Sequence, residues 1–291
     1  MTTAQITTQM SKIQKKVKSN NLSYYRTENT FDFYADFYSS EEFIEYLKWA
    51  KEKSLQVYIL GNGSNTLFGR KNIKTFVLKN QIPKSIEVIA DNKIKVSSST
   101  LVRDVLKHCY ENSLDSFYYL ASVPATIGGA LAMNAGRGRN FNLSIYDHVK
   151  SVEFFDSKEG CIKALEPKDI ILGYRKTIFT GMKSSFIISA IFEFDKSNLE
   201  GNPIQERCRW SKENQDYSAP NCGSVFKKFD YKILSSLKGY GVGEAKFSNK
   251  TTNWISNKSE NPIYIRILIL IAKFLHVIKR KKSILEVIIV K

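Results

Sequence analysis

The sequence predicts a mixed chain of helices and strands folded into two or three domains. Three observations carry this. The 291 residues are more than one ordinary core holds. Apolar residues recur at helical spacing in some segments and as short runs or alternations in others. Glycine-rich stretches around 61–65, 123–138 and 238–245 break the chain between them. Hydrophobic residues make up 43% and charged residues 25%, a soluble globular composition rather than a disordered or fibrous one.

Residues 1–20 are polar and basic and read as a frayed helix. Ser39-Ser40-Glu41-Glu42 puts carboxylates in a first helical turn, and Phe43, Leu47 and Ala50 share one face, so the spacing predicts a helix over 41–52. Residues 56–60 form an apolar run, a buried strand that feeds the first glycine stretch. Strands follow at 75–78, 86–89 and 93–96, then a helix over 101–111 with Leu101, Val105, Leu106 and Cys109 on one face. Residues 149–155, 160–165 and 186–194 read as strands, and 198–202 as a linker. A polar helix over 203–214 leads to a turn containing Pro220, Gly223 and Ser224. A short helix at 231–237 and a strand at 253–255 come next.

The strongest helix spans 262–278, where Arg266, Lys273 and Arg280 recur every seven residues in a narrow polar stripe. A membrane span needs ~20 apolar residues without such charges. The expectation is a helix packed on a sheet with a basic rim. A final strand over 284–290 carries a lone acid, Glu286, which is costly to bury among Ile, Leu and Val unless it is paired or used.

The net charge of +16, from 44 basic and 28 acidic residues, suits anionic ligands such as dinucleotides and nucleotide sugars, and equally nucleic acid or an anionic membrane. Runs such as Lys15-Lys16 and Lys279-Arg280-Lys281-Lys282 read as solvated surface. Four cysteines without a CxxC pair exclude a disulfide framework or a zinc site and point to a reducing compartment. The opening MTTAQITTQM has no apolar core, so no secretory signal is expected.

Four places carry candidate chemistry. In Gly61-Asn62-Gly63-Ser64-Asn65, glycine permits positive φ, and consecutive N–H groups form a nest for phosphate; a plain turn is the alternative. It is no Rossmann motif, because a third glycine and a helix start are absent. The long small-residue stretch 123–138 fits backbone packed on a flat ligand or on other backbone, equally. Arg175 lies among aromatic and apolar residues, as a carboxylate or phosphate clamp would, against the reading of a surface arginine. Ser224, between Gly223 and Val225, is either a working hydroxyl or turn chemistry.

Taken in this order and spacing, Leu60-Gly61-Asn62-Gly63-Ser64-Asn65, Val123-Pro124-Ala125-Thr126-Ile127-Gly128-Gly129-Ala130, Gly173-Tyr174-Arg175 and the Ser224 turn resemble the UDP-N-acetylenolpyruvoylglucosamine reductases over about residues 55–291. The resemblance implies an α+β fold: a two-subdomain FAD-binding fold of the vanillyl-alcohol oxidase type, at 1–83 and 84–197, plus a C-terminal α+β substrate domain, at 198–291, whose last strand returns to the active site. It implies FAD as cofactor and NADPH as reductant, and reduction of enolpyruvyl-UDP-N-acetylglucosamine to UDP-N-acetylmuramate in peptidoglycan precursor synthesis. It implies a cytoplasmic monomer with a nucleotide-sugar substrate, no nucleic acid, no membrane span and no metal.

The roles it implies are these. Gly61, Asn62, Gly63, Ser64 and Asn65 hold the FAD phosphates. Pro124, Ala125, Thr126, Gly128, Gly129, Asn134, Ala135 and Gly136 touch the flavin. Tyr174, Lys227, Lys228 and Asn253 bind substrate. Ser224 donates a proton, with Arg175 and Glu286 as its catalytic partners. Four positions depart from the family pattern: Asn62 interrupts three glycines, Lys228 replaces an asparagine, Thr251 stands near an expected histidine, and Ile288 replaces an arginine. Two other readings accompany the first: a related flavin reductase acting on another nucleotide sugar, and a basic binding protein that keeps the fold without turnover.

Overall fold

A computed structural model describes residues 12–181 and 185–291. They pack as two compact units, neither continuous in sequence. One gathers residues 12–14, Tyr34–Asn62 and Phe76–Trp210, the other Lys15–Phe33, Gly63–Thr75 and Ser211–Lys291. The segments expected from sequence were consecutive: 84–197 lies wholly inside the first unit, but 1–83 is divided between the two. Secondary-structure patterning reports local periodicity and is blind to which core a returning segment joins.

In the first unit, residues 34–37 of the strand Asn29–Phe37 pair in parallel with Phe76–Asn80, which pairs on its other side in parallel with Val57–Leu60. The helix Ser40–Glu52 makes the crossover between parallel strands. It starts as the sequence predicts: the Ser39 hydroxyl accepts the Glu42 N–H, and Phe43, Tyr46 and Ala50 are buried. Phe43 packs with Phe37 and Phe186 at ring-centroid distances of 5.2 and 5.0 Å. A five-stranded antiparallel sheet follows, ordered Cys161–Leu165, Val149–Asp156, Phe186–Glu193, Lys93–Ser97, Ile86–Ala90. The helix Val102–Glu111 buries Val102, Val105, Leu106 and Cys109, the face its sequence offers.

The second unit has its own core, including Tyr25, Leu67, Val225, Phe226, Ile255, Ile265, Leu268 and Val287. Ala245–Phe247 is the middle strand of a three-stranded antiparallel sheet, between Gly241–Val242 and Ile255–Asn257. Phe226–Lys228 pairs antiparallel with Ile284–Leu285, while Ile288–Val290 pairs in parallel with Thr66–Phe68.

Three local expectations are corrected. Gln14–Ser19 is a strand, not helix; the rest of that expectation, at 1–11, lies outside the described residues. The final strand is two strands. The N–H groups of Glu286 and Val287 both donate to the Val225 carbonyl (2.8 and 3.3 Å), so the ladder slips and each half pairs with a different partner. The strand expected at 253–255 begins at Ile255, because Asn253 has φ 73° and turns the chain. The helix Pro262–Ile278 packs on the strands Gly241–Val242 and Ala245–Phe247, as expected of a helix on a sheet; it buries Ile265, Leu268, Ile269, Ala272 and His276 and leaves other apolar residues in solvent.

Candidate active site

The serine turn belongs to the second unit, and its backbone is tied at every step. Gly223 has φ 69°, and a Cβ there would meet nothing, so the glycine answers a dihedral requirement and not a lack of space. The Asn221 side chain accepts the Gly223 N–H and donates to the carbonyls of Asp216 and Ala219. Ser224 bridges Trp254 across an antiparallel step, and the Val225 N–H donates to the Asn253 carbonyl (2.9 Å). The Asn253 amide then grips Phe226 twice: its oxygen accepts the Phe226 N–H (2.9 Å), and its nitrogen donates to the Phe226 carbonyl (2.8 Å). Asn253 is 5% exposed. The resemblance assigned it to substrate; buried and spent on Phe226, its amide is instead a clamp for the serine segment. The Ser224 hydroxyl, half-buried, has no hydrogen-bond partner among the described residues.

Glu286 comes to this turn through its backbone, by the bond from its N–H to Val225. Its carbonyl accepts from the Asn65 amide (3.1 Å), and the Asn65 carbonyl accepts the Ile288 N–H (3.0 Å). Asn65, Val225, Asn253 and Glu286, far apart in sequence, are therefore one hydrogen-bonded assembly, and Ser224 is the neighbour of its central residue. Glu286 is half-buried at the break between two strands, which explains how a lone acid survives in an apolar run. Lys227 is half-buried and Lys228 exposed on the strand after Ser224.

Beneath the turn sits a carboxylate that sequence reasoning missed. Asp216 accepts from the Ser218 N–H and hydroxyl on one oxygen, and from the hydroxyls of Ser248 (2.6 Å) and Ser256 (3.2 Å) on the other. Burial by itself would raise its pKa, but these hydrogen bonds overcome it and hold the carboxyl at about 2. An acid among serines in a loop has no sequence signature. Burial pushes the Cys222 thiol up to about 12, so no thiolate competes beside Ser224.

The arginine corner belongs to the first unit. Arg175 has φ 52°, and its guanidinium donates to the carbonyls of Asn134 (2.8 Å) and Gly136. Asn134, at φ 46°, donates from its amide nitrogen to the Gly173 carbonyl (3.2 Å), while its amide oxygen is buried with no partner. The Arg175 guanidinium also lies 4.9 Å from the Tyr174 ring centroid. Tyr119, another residue not found from sequence, has a buried hydroxyl without a partner. Burial pushes that phenol up, Asp147 adds to it, and the Arg175 charge opposes it. Its only sequence signal is membership of the aromatic run Phe117-Tyr118-Tyr119. Thus the structure joins Tyr174 and Arg175 to Asn134, Ala135 and Gly136.

The glycine stretches are partly explained by protein alone. A Cβ on Gly61 would lie 2.7 Å from the Thr126 hydroxyl, and one on Gly128 2.8 Å from the Ser98 side chain. Gly136 backs onto the Leu143 carbonyl and Gly63, at φ 72°, onto the Leu22 carbonyl. At these four positions a neighbouring protein group accounts for the missing side chain. Gly129 alone of the group meets only the Thr126 hydroxyl, at 3.2 Å. Asn62, the departure from a glycine run, donates its amide to the Pro124 carbonyl (2.7 Å) and ties the first stretch to the second; Ala125 is buried beside it, and Thr126 caps the helix Ile127–Ala132.

Two observations bear on a flavin dinucleotide. The N–H groups of Gly63, Ser64 and Asn65 have no acceptor among the described residues, although Gly63 is buried. Unpaired donors in succession are rare in folded chains and suit an anionic oxygen. In the first unit, the unpaired Asn134 oxygen and Tyr119 hydroxyl suit the polar edge of a ring. In each unit by itself, the residues present suit a part of FAD. Among the described residues, no cluster of His, Cys, Asp and Glu is arranged to hold a metal ion, and no helix is long and apolar enough to cross a membrane.

Comparison with known proteins agrees with this geometry. The model of an FAD binding domain matches residues 32–165. The UDP-N-acetylenolpyruvoylglucosamine reductase of Aquifex aeolicus is 31% identical over 258 residues, covering 84% of this chain and 82% of the relative. The enzyme of the same description from a Clostridium botulinum strain is 32% identical over 259 residues, covering 86% and 83%. Among solved structures, UDP-N-acetylenolpyruvylglucosamine reductase (MurB) from Thermus caldophilus aligns over 96% of this chain and 99% of its own, with a TM-score of 0.75 at 19% identity.

Proposed function

The chain belongs to the UDP-N-acetylenolpyruvoylglucosamine reductase family, and on that premise we propose that it is an FAD-dependent enzyme reducing enolpyruvyl-UDP-N-acetylglucosamine to UDP-N-acetylmuramate with NADPH. The observation that carries this reading is the assembly in which Asn253 and the Glu286 backbone hold Val225 and Phe226, next to Ser224, while the Ser224 hydroxyl keeps no partner among the described residues. A hydroxyl presented on a fixed backbone and not used by the fold is suited to chemistry.

FAD would be held at the phosphates by the N–H groups of Gly63, Ser64 and Asn65, and at the ring by Gly129, Asn134 and Tyr119. When bound, the flavin supplies two-electron transfer from NADPH to the enol ether. The residues of this chain do the rest. Arg175, locked by two carbonyls, stabilises negative charge on the substrate carboxylate as it develops; a preorganised cation contributes most where charge appears. Ser224 gives its proton to the substrate carbon next to that carboxylate. Glu286 assists charge placement at that carbon, with Tyr174, Lys227 and Lys228 binding the rest of the substrate. The protein works in the cytoplasm as a monomer. Lys228 and Thr251, two of the four departures from the family pattern, leave the alternative of another nucleotide sugar.

The test is anaerobic. The flavin-reduced protein is mixed with enolpyruvyl-UDP-N-acetylglucosamine, and reoxidation is followed by flavin absorbance. Rapid reoxidation with formation of UDP-N-acetylmuramate is expected. Reoxidation only by a different enolpyruvyl nucleotide would move the chain to the second reading, and a colourless protein to the third.

A further inference from the structure

The helix Pro262–Ile278 has two apolar faces, and only one is used by the fold. Ile265, Leu268, Ile269 and Ala272 are buried in the core of the second unit. On the opposite side Leu270, Phe274, Val277 and Ile278 are 58%, 64%, 72% and 56% exposed, with Ile263 about two turns before Leu270. At about 100° per residue these side chains form one strip. A helix that is apolar all round is ordinarily covered; this one leaves an aromatic and several large aliphatic side chains in water on a single face.

The charge around the strip is of one sign. Between Glu260 and Glu286 the sequence has six cations and no acid. Arg266 is fixed by its bond to the Gly69 carbonyl (3.0 Å) and Lys273 flanks the strip on the same side. Lys279, Arg280, Lys281 and Lys282 follow the helix and are all exposed; Lys281 reaches Asp230 at 3.9 Å, and the other three make no ion pair among the described residues. The 17-residue helix, ~25 Å long, is too short and too charged at its end to span a bilayer. An apolar strip rimmed by unpaired cations is the pattern of a helix lying in a membrane interface, its apolar side chains among acyl chains and its cations on anionic headgroups.

We propose that this face docks the protein on an anionic lipid surface. A second copy of the chain is disfavoured as the occupant, because the same acid-free cationic segment would face itself. A polyphosphate chain such as nucleic acid has no use for the aliphatic centre of the strip.

The test is sedimentation of the full chain with vesicles of phosphatidylcholine alone, and of phosphatidylcholine and phosphatidylglycerol in equal parts. Binding to the anionic vesicles and not the neutral ones is expected. The double variant F274D/V277D, and separately K279Q/R280Q/K281Q/K282Q, should each weaken that binding about tenfold or more. Both alter exposed side chains outside the reductase machinery, so circular dichroism and flavin reduction by NADPH should stay unchanged. Absence of binding to anionic vesicles by the unaltered chain overturns the proposal. So does binding that F274D/V277D leaves unchanged, since the strip would then be idle. A doubled mass in sedimentation velocity that F274D/V277D returns to one chain, without vesicle binding, assigns the strip to a second copy. Binding of an RNA oligonucleotide that the charge variant abolishes and F274D/V277D does not, again without vesicle binding, assigns the cations to nucleic acid.

Discussion

The serine turn and the arginine corner solve the same problem in opposite ways. At Ser224 the backbone is fixed and the side chain is left free: Asn253, Trp254 and Glu286 hold the main chain, and the hydroxyl has no partner. At Arg175 the side chain itself is fixed, by two carbonyls, on a residue already in a strained left-handed conformation. The chemistry explains the contrast. A hydroxyl is short, so fixing its Cα fixes the oxygen, and any partner would compete for the proton it is to give. A guanidinium sits on a long flexible stem and would lose much side-chain entropy on binding unless acceptors held it beforehand.

The comparison can be broken at several points. The largest effect is expected at the free hydroxyl. Ser224→Ala should slow flavin reoxidation by the enolpyruvyl substrate by about 10²–10⁴-fold, with FAD content and reduction by NADPH nearly intact. Stopped-flow absorbance separates the two half-reactions, and equal small effects on both would make Ser224 a turn residue only. Arg175→Lys keeps the charge but loses the fork that spans two carbonyls, so it should slow reoxidation by roughly tenfold to a hundredfold and leave reduction by NADPH almost alone. Equal slowing of both would remove the contrast between a fixed side chain and a fixed backbone.

Stability sharpens the same contrast. Asn253→Ala strips both bonds from buried Phe226 and places alanine at φ 73°, a cost of about 3 kcal/mol in chemical denaturation. Asn253→Gly, which tolerates that dihedral, should recover only part of it; full recovery would mean the amide clamp is dispensable. Asp216→Asn should cost about 2 kcal/mol at neutral pH. The folded carboxyl, at about 2, lies below its ordinary 3.8, so the contribution is complete above about pH 4 and is lost as pH falls toward 2. Urea unfolding across that range should show the wild-type chain losing its advantage over Asp216→Asn. The smallest effect is expected from Asn62→Ala, which removes one hydrogen bond between glycine stretches: a few-fold weaker FAD affinity by titration, about 1 kcal/mol. Gly63→Val would be a poorer probe, because its side chain would push into the Leu22 carbonyl and report on folding more than on flavin.

Much was legible in the sequence where local rules govern. The Ser39 cap with Glu41 and Glu42 fixed one helix, and the Leu101–Cys109 spacing another, because capping and amphipathic periodicity act within a few residues. The ordered glycine, arginine and serine motifs were enough to indicate the family. What the sequence could not state was where neighbouring protein already requires a glycine: a Cβ at Gly61, Gly63, Gly128 or Gly136 would meet Thr126, Leu22, Ser98 or Leu143, whatever the N–H groups bind. Asn253 read as a ligand contact because an asparagine shows its chemistry in sequence but not its partner.

By itself, then, the sequence determined the long helices, most strands and the flavin-type fold, and it named the catalytic candidates, since each rests on periodicity, turn chemistry or an ordered motif. Tertiary structure alone decided that Asn65, Val225, Asn253 and Glu286 share one hydrogen-bonded assembly, because those contacts join residues up to 221 positions apart. It also decided that one apolar face of Pro262–Ile278 is buried and the other left in water. Periodicity reports that a helix is apolar on both sides; only the packing of Ile265, Leu268 and Ile269 into a core chooses the side.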